Sequence, residues 1–79
     1  MPHTYLLYIR PTCPYCQDVL AYMEQAGIKL PLANISEDEQ ALQTLKRVGG
    51  KVQVPCLFID GEPMYESQDI ISYLKREFA

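Results

Sequence analysis

The sequence predicts an α/β fold, one layer of sheet carrying helices, with elements in the order β-α-β-α-β-β-α. Three observations carry that prediction. Tyr5, Leu6, Leu7, Tyr8 and Ile9 form an apolar run without polar alternation, which suits a strand covered on both faces. Three segments repeat apolar residues at helical spacing, each with its own start or stop signal. Finally, Asp60-Gly61 follows an apolar run and reads as a tight hairpin turn.

After the first strand, Pro11 and Pro14 bracket a turn, and Pro14 suits the first helical turn, where its missing N–H costs nothing. Cys16, Val19, Leu20, Met23 and Ala26 then fall on one helical stripe, and Gly27 supplies a left-handed stop, so the first helix spans 14–26. Residues 28–35 form a second strand, which Pro31 confines to an edge. Ser36 and Glu39 have the spacing of a capping box, with Ser36 as N-cap. Ala41, Leu42, Leu45 and Val48 line the second helix, and Gly49-Gly50 ends it. Residues 54–59 form the third strand, and the hairpin returns through Pro63, Met64 and Tyr65 as a short fourth. Ser67 is the expected cap of the last helix, whose inner face is Ile70, Ile71, Leu74 and Phe78. Lys75 and Arg76 complement its dipole.

The 79 residues are expected to form a single domain over 1–79, without repeat or linker. An apolar fraction of 48% is too high for a disordered chain. A net charge of −3 with scattered Lys and Arg gives no footprint for nucleic acid. No apolar run approaches 18 residues, and Met1-Pro2-His3 opens no signal peptide, so neither membrane nor export is expected. Three cysteines are too few and too odd a number for a disulfide-stapled secreted domain. A reducing, cytoplasmic setting fits better, where a C-x-x-C pair is catalytic or metal-binding.

Cys13 and Cys16 sit at the strand-to-helix turn, at the C-terminal end of the first strand, where open α/β sheets place their sites. Cys13 precedes the first helical turn, whose unpaired N–H groups and positive dipole end favour an anion. It is therefore the expected nucleophile, with Arg10 as a cationic neighbour. Cys16, one turn further in, is expected to be less exposed and to resolve the mixed disulfide. A C-x-x-C pair is also half a zinc site, for which Cys56 and His3 are the remaining donors. The first strand, however, separates His3 from Cys13 by on the order of 20 Å, so no metal is expected. Cys56, within an apolar strand, reads as a small hydrophobe, and His3 as a solvated end residue.

Cys13-Pro14-Tyr15-Cys16, followed some 40 residues on by Val54-Pro55, a strand and Asp60-Gly61, resembles the glutaredoxins almost from end to end. The resemblance implies a minimal thioredoxin fold: a four-stranded mixed sheet with helices on both faces and Pro55 in the cis form beside the cysteines. It implies glutathione as co-substrate, with the backbone of Val54 pairing its cysteinyl part. Arg10 stands where the family often has a lysine for the glycine carboxylate, and Tyr15 would line the same groove. Glutathionylated or disulfide-containing proteins would be the partners of a monomer. One stretch departs from the pattern. Where glutaredoxins commonly carry Gly-Gly before the last helix, this chain has Tyr65-Glu66-Ser67. Glu-Ser there resembles the glutathione-binding motif of glutathione transferases: Ser67 would offer hydroxyl and N–H to the γ-glutamyl carboxylate, and Glu66 would take its ammonium.

The expected activity is therefore glutathione-dependent thiol–disulfide exchange. Two alternatives stand beside it. One is a redoxin recharged by a flavoprotein reductase; the other is a non-catalytic module in which Cys13 and glutathione hold an iron–sulfur cluster, a role that Pro after the first cysteine disfavours in the family.

Overall fold

The structure, a computed structural model, describes residues 3–78. Its elements follow the expected order: β1 (Tyr5–Ile9), α1 (Pro14–Ala26), β2 (Leu32–Asn34), α2 (Glu39–Gly49), β3 (Cys56–Ile59), β4 (Glu62–Met64) and α3 (Ser67–Phe78). The sheet order is β2-β1-β3-β4. β1 pairs in parallel with β2 and antiparallel with β3, and β3 pairs antiparallel with β4, so the sheet is mixed.

The unbroken apolar character of β1 and β3 has a direct structural cause. Leu7, Ile9 and Leu57 point to a core shared with Val19 and Met23 of α1 and with Ile70, Tyr73 and Leu74 of α3. Tyr8, Cys56 and Phe58, on the alternate positions, pack with Ala41 and Leu45 of α2 and with Ile35. Two helices thus cover one face and α2 the other, and both strand faces must be apolar. Leu7, Leu45, Leu57, Ile70, Leu74 and Val19 are fully buried, each worth roughly 1.5–3 kcal/mol over an exposed position.

Local signals behave as the sequence suggests at α1 and at the hairpin. Gly27 has φ +72°, and the N–H of Ile28 reaches back to the Met23 carbonyl at 2.9 Å, closing the helix end. Asp60 and Gly61 both have positive φ, the geometry of a two-residue turn matched to sheet twist.

Five boundaries differ from expectation. β4 begins one residue early, at Glu62, and ends at Met64, so Tyr65 lies outside it. β2 is only three residues long, although it does lie at the sheet edge; Pro31 precedes it and contributes its carbonyl to the Leu7 N–H at 3.0 Å. The cap of α2 is Asp38, whose carboxylate accepts from the N–H of Gln40 at 3.0 Å and of Ala41 at 3.2 Å. Ser36 is instead taken up in a turn where its N–H donates to the Asn34 side chain at 2.9 Å. β3 begins at Cys56, leaving Val54 and Pro55 in a bend before it. Ser67 is the first residue of α3 and not its cap; Glu66 stands before it, with its carbonyl accepting from Ile70 N–H at 3.0 Å.

Candidate active site

The turn between β1 and α1 is tied down by its own backbone. Cys13 N–H donates to the Arg10 carbonyl at 3.0 Å, and the Gln17 side chain donates to the Pro11 carbonyl at 2.8 Å. Cys13 occupies the N-cap position of α1 in extended conformation, with Pro14 as the first helical residue. Its side chain accepts no capping bond, so the thiol is free to face outward from the helix start. It is half-buried, and its Sγ donates to the Val54 carbonyl at 3.7 Å. Residues 41 positions apart are brought together by the bend at Val54-Pro55, whose peptide bond is cis, as the resemblance implies.

Cys16 is a different thiol. It has no exposed surface and belongs to the core between α1, α3 and the sheet. Burial pushes it up to about 11, against a hydrogen bond from the Arg10 backbone, and the neighbouring Cys13 raises it further. Arg10 itself is exposed, and its charge opposes that rise weakly.

Cys56 is equally buried but lies on the other side of the sheet, in the α2 core. Its thiol too is pushed up to about 11 by burial, moderated by the Tyr65 hydroxyl, the Met64 backbone and Lys51. The sheet lies between it and the Cys13–Cys16 pair. All three thiols are unpaired. His3 is exposed, as expected of an end residue, but it is also held: its ring bonds the Asp60 carboxylate, which accepts the Thr4 N–H at 2.8 Å. Among the described residues no three His, Cys, Asp or Glu side chains cluster as a metal site, and no helix is long and apolar enough to cross a membrane.

Next to Cys13 lies an open groove of about 420 Å³, lined by Tyr15, Gln53, Val54, Pro55, Glu66, Ser67 and Gln68. Five of these were singled out from the sequence: Tyr15, Val54, Pro55, Glu66 and Ser67. Arg10 was too, but it is not among the lining residues. Tyr15 is 64% exposed, an aromatic surface free to cover a ligand. Gln53 and Gln68 escape sequence reading because an amide carries neither periodicity nor charge; their one signal is adjacency to Val54 and Ser67. Gln53 Nε2 donates across to Glu66 Oε1 at 3.4 Å. Glu66 has φ +72°, a conformation that costs an L-residue on the order of 1–2 kcal/mol. That is the backbone freedom a glycine would have supplied. The groove is thus a polar-ended slot of ordinary ligand size, with the start of α3 on one side, where Ser67 is buried and Gln68 exposed, and a half-buried thiol nearby.

Comparison with known proteins identifies the family and the fold. Residues 6–64 match the family model described as Glutaredoxin. The chain is 28% identical over 76 residues to glutaredoxin 1 of Rickettsia prowazekii, covering 92% of this chain and 79% of that protein. It is 31% identical over 61 residues to glutaredoxin 1 of Rickettsia felis, covering 73% of this chain but only 59% of that protein. Among solved structures, a thioredoxin-like protein superposes with a TM-score of 0.77 at 22% identity, over 96% of this chain and 100% of that one. Glutathione transferase Omega 3C from Trametes versicolor does so with a TM-score of 0.77 at 28% identity, over 99% of this chain and 35% of that one.

Proposed function

The chain belongs to the glutaredoxin family, and from that premise we propose that it is a glutathione-dependent thiol–disulfide oxidoreductase. Cys13 attacks the glutathione sulfur of a mixed disulfide, and the protein thiolate departs. A second glutathione attacks the Cys13–glutathione bond, releasing glutathione disulfide and the Cys13 thiolate. Cys16 offers the other exit: its thiolate attacks the Cys13 sulfur, glutathione departs as thiolate, and the Cys13–Cys16 disulfide forms. The same disulfide is left when the dithiol reduces a protein disulfide, and two glutathiones return it to the dithiol, leaving as glutathione disulfide.

The observation that carries this reading is the groove beside Cys13. Its size suits a tripeptide. Val54, which lines the groove, is assigned the strand-like backbone pairing with an extended peptide. Ser67 at the start of α3 favours a carboxylate, and the Glu66 carboxylate an ammonium, which are the two ends of a γ-glutamyl group. The likeness of the fold to a glutathione transferase supports the same use of Glu66 and Ser67. Arg10, outside the groove, is assigned to steering the anionic peptide toward Cys13.

Turnover of a small mixed glutathione disulfide, with glutathione as sole electron source, tests the proposal. Reduction under those conditions supports it; reduction only when a flavoprotein reductase is supplied would replace it with the redoxin reading.

A further inference from the structure

Tyr65 lies outside the groove but is tied to both of its sides. Its hydroxyl donates to the Gly49 carbonyl at 3.0 Å and lies 3.3 Å from that of Lys51. Gly49 ends α2, and Lys51 leads within two residues to Gln53, Val54 and Pro55, one side of the groove. On its own strand exit, Tyr65 is followed directly by Glu66, Ser67 and Gln68, the other side. The Lys51 ammonium stands 4.5 Å over the Tyr65 ring, adding a second tie between the two segments. Gly49 is the seat of this contact: a Cβ there would collide with the Tyr65 hydroxyl. Glu66, with its left-handed backbone, needs such outside support, because strained φ persists only where neighbours enforce it.

We propose that Tyr65, seated on Gly49, is a positioning residue that sets the spacing between the Gln53-Val54 and Glu66-Ser67 sides of the groove and thereby the affinity for glutathione. The affinity part rests on the function proposed above. The residue acts through others, since it touches neither the thiols of the Cys13–Cys16 pair nor the groove itself.

Tyr65→Phe keeps the ring over which Lys51 sits and removes the hydroxyl. It should raise KM for glutathione about fivefold with kcat within about twofold, as loss of one hydrogen bond acting on binding alone predicts. Amide hydrogen exchange at Glu66, Ser67 and Gln68 should speed up in the same variant. Gly49→Ala should raise KM by a similar factor by displacing the hydroxyl, yet add nothing in the Tyr65→Phe background, where no hydroxyl remains to displace. Unchanged KM together with unchanged exchange in Tyr65→Phe would overturn the proposal, as would full additivity of the two substitutions. Wild-type protein that fails to use glutathione would overturn the functional reading instead, and the exchange comparison would then decide the role of Tyr65 on its own.

Discussion

The Cys13 thiol donates to the Val54 carbonyl at 3.7 Å, across 41 residues of sequence. The proposed nucleophile, at the N-cap of α1, and the backbone proposed to bind a peptide are therefore one local structure. Cys13 is the half-buried thiol, whereas Cys16 and Cys56 have no exposed surface and are held protonated by burial. Iodoacetamide at pH 7 should therefore alkylate the reduced, folded protein once, at Cys13, and three times after denaturation. Mass spectrometry of the peptides checks this; early modification of Cys56 would contradict the burial argument.

The same two buried thiols set a pH dependence. Both are pushed up to about 11, whereas in an unfolded chain a thiol titrates near about 8.5. Between these values the folded protein keeps protons that the unfolded chain releases, so unfolding is favoured as pH rises. Stability of the reduced protein should be full below about pH 8.5 and fall progressively toward pH 11. Urea midpoints at pH 8 and pH 10.5 measure the fall, and Cys56→Ala should make it shallower. An equal fall in that variant would remove Cys56 from the explanation.

Asp38, and not Ser36, holds the start of α2. Asp38→Ala should cost about 1 kcal/mol, while Ser36→Ala should stay within about 0.5 kcal/mol. Chemical denaturation of the two variants decides it, and the reverse order would restore Ser36 as the cap.

That case shows where sequence patterns lose their hold. Ser36 and Glu39 have the spacing of a capping box, but so do other pairs in a polar stretch, and the Asn34 side chain captures the Ser36 N–H first. The element order, the hairpin and most of each helix face were legible because periodicity and Asp60-Gly61 report directly on burial and turn geometry. At the helix ends the pattern fails, since Val48 and Phe78 are exposed, and in α3 Tyr73 is buried instead. Val54 looked like strand because it is apolar; the bend that removes it from β3 is a tertiary matter. Glu66 gave no sign of its positive φ, since glutamate is the wrong residue type to advertise one. Gln53 and Tyr65 bond to distant segments, and Gln68 joins the groove only once the chain is folded, none of which a local pattern encodes.

Glu66 separates stability from binding. Glu66→Gly removes the cost of the left-handed conformation and should stabilise the fold by about 0.5–1 kcal/mol. It also removes the carboxylate assigned to the γ-glutamyl ammonium, which should raise KM for glutathione roughly tenfold. Thermal unfolding and steady-state kinetics on the same preparation test both halves. A variant that gains stability with unchanged KM would show that the Glu66 side chain does not meet the substrate.

The central claim is that Cys13 and the groove beside it suffice for chemistry on glutathione, with Cys16 needed only for the dithiol route. The most direct measurement is deglutathionylation of a glutathionylated protein by Cys16→Ser and by Cys13→Ser, with glutathione as the only electron source. The account predicts that Cys16→Ser retains turnover and Cys13→Ser loses it entirely. Equal loss in both variants would contradict it.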